Sequence, residues 1–208
     1  LVERVQSISK KVNIKTPEFG IFNSQQPNAF ATGFSKNSSL VALSSGLINH
    51  MNKDEIEAVI AHEISHISNG DMVTMTLIQG IVNTFVIFFS RIIGHVVDRV
   101  VFKVQRGHGP AYYITSIIAQ ILLSILASII VMWFSRKREF QADLSAANLV
   151  GTTKMISALK TLSTKSSSAL PDQMAAFGIS GKQKSKYKSL FSSHPSIESR
   201  IEFLLRNS

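Results

Sequence analysis

Apolar and polar positions follow different periods along the chain, and each period marks an element. Leu1, Val5, Ile8 and Val12 recur at helical spacing and predict a short amphipathic helix. Residues 19–23, 29–34 and 40–43 read as strands of a small sheet. Asn52 with Glu55 three residues on is a capping-box signature, and Ile56, Val59, Ile60, Ile64 and Ile67 carry the helix that follows. Beyond Ser135 the pattern predicts a helix over about 136–150 that stops near Gly151, then another to about Leu162. Residues 163–193, rich in Ser, Lys and Gly, read as a loop, and Pro195 opens a last amphipathic helix with Ile197, Ile201, Leu204 and Leu205.

Between these elements lie two stretches without a charged residue, 72–90 and 111–135, of 19 and 25 residues. About 20 apolar residues in a helix cross a ~30 Å hydrocarbon layer, so both are long enough to span. The second is the clearer: Tyr112 and Tyr113 stand at one end, Trp133 and Phe134 at the other, and Arg136, Lys137 and Arg138 follow as a basic anchor. Gln79 and Asn83 weaken the first. The competing reading is a buried helical hairpin in a soluble core.

Composition sharpens this picture. The chain has 208 residues, 45% hydrophobic and only 17% charged, which excludes a disordered chain and is unusual for a soluble domain. There is no cysteine, so disulfides, thiolate metal sites and Cys nucleophiles are excluded, and any metal must be held by His, Asp or Glu. The net charge of +9 is concentrated after residue 110, where twelve Lys/Arg face five acids. No nucleic-acid module accompanies the Lys-rich residues 182–188, so no nucleic-acid partner is expected; anionic lipid headgroups fit the charge better. Leu1 in place of Met points to a fragment or a processed product, with no signal peptide in view.

The chemistry is concentrated in His62-Glu63-Ile64-Ser65-His66. His62 and His66, four apart on a helix, project from one face and can share one Zn²⁺. Glu63 between them can take a proton from a water activated by the metal and pass it to a leaving amine. Two exposed helical histidines beside a Glu would be the plain alternative, but Ala58-Val59-Ile60-Ala61 before them marks a packed helix, where a chance polar cluster is costly.

A catalytic zinc needs a third protein ligand. The candidates are His95, Asp98, His108, Glu139, Asp143, Asp172, His194, Glu198 and Glu202. If the two apolar helices are an antiparallel pair, His66 stands about 9 Å and Glu139 about 6 Å above one membrane surface, at the same level. That selects Glu139; His95, Asp98 and His108 fall on the opposite side, and Glu198 and Glu202 suit the solvated face of the last helix. Asp143, one turn on, is placed to accept the second N–H of a ligating His, or else to pair with a basic neighbour. His50, His95 and His108 have no partner spacing and read as solvated, and Asp71 reads as ending the ligand helix or capping its neighbour.

His62-Glu63-x-x-His66 with Asn69-Gly70-Asp71, then Arg138-Glu139-Phe140-x-Ala142-Asp143, Pro27-Asn28-Ala29-Phe30-Ala31-Thr32-Gly33 and a late His194-Pro195, in that combination, resembles the HtpX family of membrane zinc metalloproteases, relatives of the CAAX prenyl endopeptidases. The resemblance implies zinc held by two His and one Glu, a catalytic domain in the bacterial cytoplasm and a role in membrane-protein quality control and stress response. It also implies two further transmembrane helices ahead of the catalytic domain. From it, Asn28, Ala29, Phe30 and Ala31 belong to a segment that lines the substrate groove, though alone they read equally as plain sheet. It gives His194 a hydrogen bond to the oxyanion, supported by Arg200; the residues alone allow a helix-start His before an N1 proline.

The expected fold is α+β, a mainly helical zincin-like (gluzincin) catalytic domain with a small sheet and two integral transmembrane helices. Residues 1–71 and 136–208 form its two parts and 72–135 the transmembrane hairpin. The expected protein is a multi-pass inner-membrane zinc endopeptidase that binds one Zn²⁺ and cleaves membrane proteins from the cytoplasmic side. The rivals are a CAAX-type processing peptidase, which would need a lipid-lined chamber that two helices cannot enclose, and a non-catalytic zinc-holding scaffold, which has no use for Glu63. With that orientation the loop 91–110 lies on the far side carrying four cations, against 18 elsewhere, which weakens but does not reverse the charge rule.

Overall fold

The structure is a computed structural model that describes residues 1–166 and 194–207. Helix α1 (Val2–Lys11) precedes strands β1 (Glu18–Phe22), β2 (Ala29–Ser35) and β3 (Ser38–Ser44), the short helix α2 (Ser45–His50) and helix α3 (Lys53–Asn69). Helix α4 (Asp71–Val96) runs into one turn of π-helix at Val97–Val101, and α5 (Pro110–Val150), α6 (Thr152–Ser166) and α7 (Ile197–Asn207) follow. Described residues are thus mainly helical, with one small sheet.

The sheet has the order β1-β3-β2, with β3 parallel to β1 and antiparallel to β2. Its register puts Ala29 and Ala31 on the same face as Leu43 and Val41, which are fully buried against the core, and turns Phe30 to the other face beside Phe22. Helix α3 is buried nearly all round: Ile60, Ile64 and Ile67 are inaccessible and pack with Val5, Ile8, Leu47, Leu159 and Leu204 in one cluster. Each such aliphatic side chain contributes about 1.5–3 kcal/mol on burial. The capping box forms as expected: Asn52 Oδ1 accepts from the Asp54 and Glu55 N–H groups, and Glu55 accepts from Asn52 N–H at 3.0 Å. The other oxygen of Glu55 accepts from Ser157 and Thr161, so one carboxylate both caps α3 and ties α6 to it.

Two compact units emerge. The first comprises the described parts of Leu1–Val73, Arg136–Lys186 and His194–Ser208; the second is built on Thr74–Ser135. In the second, α4 and α5 approach closely at Gly94, where a Cβ would collide with Ser116 Oγ and stand 2.9 Å from the Tyr112 carbonyl. Small residues at such a crossing are how helices pack when lipid surrounds them. Outward-facing Leu77, Ile81, Phe85, Ile117, Ile121 and Ile125 are exposed, and only 6% and 11% of the two apolar windows is buried. Both helices are long and apolar enough to cross a bilayer, and their apolar side chains are not covered by the described residues.

Several boundaries differ from expectation. Helix α4 continues past residue 90 to Val96, because Ile92, Ile93 and Val96 extend the helical pattern and Arg91 alone does not break it. The second apolar segment and the Glu139 helix are one uninterrupted α5. Helix α2, capped by Ser44 Oγ on Leu47 N–H, is too short for a periodic signal. Helix α6 runs to Ser166, and the rest of the predicted loop, Asp172 and the Lys-rich 182–188 lie outside the described residues. His50, His95 and His108 are exposed, as expected; His108 stands edge-on to His95 and tilted against Tyr112, and His50 Nδ1 meets the Gly46 carbonyl at 2.6 Å.

Candidate active site

The site is assembled by α3, α5 and α7. Helix periodicity places His62 and His66 one turn apart on α3, with ring centroids 4.6 Å apart and nearly perpendicular. Helix α5 brings Glu139, which is 2% exposed, between them: Oε2 lies 3.7 Å from His62 Nε2, Oε1 lies 3.5 Å from His66 Nε2, and the two Nε2 atoms are 3.1 Å apart.

The opposite ring nitrogens explain the convergence. His66 Nδ1 lies 2.6 Å from Asp71 Oδ2, and a carboxylate only accepts, so this nitrogen carries the proton. His62 Nδ1 lies 2.9 Å from Asp143 Oδ1, somewhat off the ideal direction of the ring N–H. With Nδ1 protonated on both rings, both Nε2 lone pairs face one another and a carboxylate, a repulsive arrangement unless a cation sits among them. A tetrahedral ion about 2.0–2.1 Å from each ligand sets its ligands roughly 3.3–3.4 Å apart, close to the separations found. His62, His66 and Glu139 therefore fit a small divalent metal ion, and they are the cluster of that kind among the described residues.

Charge is organised around this centre. Burial pushes the Glu139 carboxyl up, but the hydrogen bond with His194 and the neighbouring imidazoles outweigh it and hold the group at about 2. Burial likewise opposes ionisation of Asp143, yet Arg200 and His62 keep it below the usual carboxylate range. Arg200 on α7 makes a fork, Nε to Oδ2 at 2.6 Å and Nη2 to Oδ1 at 2.5 Å, on a carboxylate that is fully inaccessible. Burial depresses His62, and the adjoining Asp143 and Glu63 more than restore it.

A cleft of about 160 Å³ opens beside these groups, lined by Asn28, Ala29, His62, Glu63, Glu139, His194 and Arg200 among others. Glu63 thus faces the same space as the cluster. His194 sits at the rim, 65% exposed, with Nδ1 3.2 Å from Glu139 Oε2. Asn28 and Ala29 border the cleft at the start of β2, whose far edge is unpaired in the sheet; Phe30 points to the outer face and Ala31 toward the core. Of the remaining candidates, His95, Asp98 and His108 belong to the other unit, where Asp98 accepts from the Gly109 N–H, and Glu202 pairs with Arg206 on α7.

Two contacts were not anticipated. Asp71 is expected to end the ligand helix or to cap its neighbour; Gly70 ends α3 in the left-handed region at φ 72°, Asp71 opens α4, and the turn also aims its carboxylate back at His66. The Asn69-Gly70-Asp71 tripeptide, which begins three residues after His66, is the available signal. Arg138, expected as part of the basic anchor and of the family motif, also donates to the Asp71 carbonyl at 3.4 Å and lies 3.9 Å from Glu139.

The model of peptidase family M48 matches residues 1–208. The chain is 60% identical over 202 residues to the protease HtpX of Thioalkalivibrio sulfidiphilus, covering 97% of this chain and 68% of that protein. It is 60% identical over 205 residues to the protease HtpX homolog of Nitrosomonas europaea, covering 98% and 70%. Its fold is similar to the crystal structure of S. mikatae Ste24p, with a TM-score of 0.68 at 25% identity over 98% of this chain; it spans about half, 49%, of that longer protein.

Proposed function

The chain belongs to peptidase family M48, and with that as premise we propose that this membrane metalloprotease is a zinc endopeptidase cleaving misfolded or damaged membrane proteins. We read it as a gluzincin of the bacterial inner membrane, its catalytic domain (residues 1–71 and 136–208) on the cytoplasmic side and residues 72–135 as a spanning hairpin. The observation that carries the reading is the convergence of a ring nitrogen of His62, a ring nitrogen of His66 and a Glu139 oxygen within 4.8 Å of one another, beside a cleft that Glu63 also lines.

His62, His66 and Glu139 would hold the metal, with Asp143 and Asp71 fixing the tautomer of the two rings. Zinc, when bound, acts as a Lewis acid that lowers the pKa of water and polarises the scissile carbonyl. Glu63 takes the proton of the attacking water at its carboxylate and delivers it to the departing amine nitrogen. His194, at the rim of the cleft, donates to the developing oxyanion, and Arg200 positions the site by clamping Asp143. The substrate lies extended along β2 from Asn28 to Ala31, because an unpaired strand edge offers main-chain groups to an extended peptide.

A CAAX-type processing peptidase would show the same metal geometry and differ in substrate. A non-catalytic scaffold is disfavoured by Glu63, which a purely structural site does not need. The test is purified protein with metal analysis, casein and a prenylated peptide as substrates, and Glu63→Gln. Expected are about one zinc per chain in both forms, casein cleavage by the unaltered protein, and a loss on the order of 10²–10⁴-fold in the variant. Cleavage of the prenylated peptide alone would favour the processing reading; loss of zinc from Glu63→Gln would refute the assigned role.

A further inference from the structure

We propose that the tip of the β2–β3 hairpin, Phe34 with Lys36, rests in the headgroup region of an anionic bilayer and makes a membrane contact separate from the two spanning segments. The proposal rests on the spanning reading of residues 72–90 and 111–135. Phe34 is 94% exposed, the highest value among the large apolar side chains described. A single exposed apolar residue is ordinary, so exposure alone implies nothing. The position of Phe34 is what carries the inference.

Lys36 Cε lies 3.5 Å from where a Cβ on Gly70 would stand. Gly70 directly precedes Asp71, the first residue of α4, and the charge-free stretch opens at Met72. The Asp71 carbonyl accepts from Arg138, and Arg138 follows three residues after Ser135, the end of the second charge-free stretch. The points where the chain enters one apolar segment and leaves the other are therefore held together, and the hairpin tip lies beside them within the same compact unit. At about 3.3 Å per residue, Phe34 is only about 7 Å of chain from Lys36. Lys36 thus lies beside the residues that open an apolar segment, where the interfacial layer begins; there an aromatic ring gains from leaving water and a lysine ammonium reaches anionic headgroups.

The chain has no cysteine, so Phe34→Cys supplies a single thiol for an environment-sensitive fluorophore. The full chain is placed in vesicles of phosphatidylethanolamine and phosphatidylglycerol, with Lys10→Cys on α1 as the aqueous reference and Ile81→Cys as the bilayer reference. Expected at residue 34 are a blue shift relative to residue 10, quenching by doxyl groups near the headgroup more than by deep ones, and a loss of that quenching on adding Lys36→Glu. Emission matching residue 10, with free access to aqueous iodide, overturns the proposal. So does a blue shift without quenching by lipid, which would mean that protein covers the tip. If residue 81 escapes lipid quenching as well, the spanning reading fails and takes the proposal with it; quenching at 81 but not at 34 removes the proposal alone.

Discussion

Asp71 reaches back across the Gly70 turn to accept a hydrogen bond from His66 Nδ1 at 2.6 Å, so the residue that opens α4 also orients an imidazole of α3. The two roles are compatible because an acidic residue in the first turn of a helix also favours its positive end. Substituting Asp71→Asn should lower metal affinity about 10–100-fold while leaving the fold intact, as loss of a ligand-orienting carboxylate does elsewhere. Competition against a chelator measures it. Gly70→Ala should act differently, destabilising by roughly 1–2 kcal/mol because a Cβ is strained in the left-handed region.

Glu139 and Asp143, one turn apart on α5, should separate in their effects. Glu139→Ala removes a proposed ligand and should abolish tight metal binding with little damage to the metal-free fold. Asp143→Ala leaves the Arg200 guanidinium buried without its fork, a loss of about 3–5 kcal/mol for a broken buried pair. Thermal melts of the metal-stripped variants distinguish them: equal melting temperatures would show that the Arg200 clamp contributes nothing to stability.

Glu55 gives a pH dependence away from the metal cluster. Burial pushes its carboxyl up, but the hydroxyls of Ser157 and Thr161 and the Asn52 N–H outweigh that and hold it below its ordinary value of 4.5. A depressed folded pKa means that the unfolded chain binds the proton first, so this stabilisation is complete above 4.5 and fades as pH falls toward the folded value. Glu55→Gln should therefore be less stable than the unaltered chain at neutral pH, and the difference should shrink below pH of about 4. Parallel stability curves across that range would contradict the role of the carboxylate.

Ile81 and Ile125 are 56% and 47% exposed, so nothing in the protein's own described structure shields them. In intact membranes, single cysteines at these positions should nevertheless resist a water-soluble thiol reagent, because lipid covers them. A cysteine in place of Arg106, in the connection between the apolar helices, should react only from the side opposite the cleft. Prompt labelling of 81 and 125 without detergent would make the pair a water-exposed hairpin.

Helix α3 with its capping box and its His62-Glu63-x-x-His66 pair could be read directly, because capping and i, i+4 geometry are local and need no partner. The apolar segments were legible for a similar reason: the bilayer imposes a length and a composition on each span by itself. From geometry Glu139 is reachable only by assuming that both segments end at one membrane surface; the other route is the family resemblance carried by Arg138-Glu139-Phe140-x-Ala142-Asp143.

What tertiary structure alone decided is where residues distant in sequence meet. Arg200 and Asp143 are 57 residues apart, and no period or cap links them; only the packing of α7 on the domain turns the arginine onto that carboxylate. The parallel pairing of β1 with β3, which leaves β2 at an edge beside the cleft, is equally silent in the chain, since either neighbour could satisfy the same alternation. Asp71 and His66 show the boundary between the two cases, five residues apart yet joined only because Gly70 can adopt a backbone angle that other residues resist. Donor types and apolar lengths can be read along the chain, because they depend on composition and short-range geometry. The register of those donors around one point depended on the sum of many packing contacts, and that sum exists only in the folded chain.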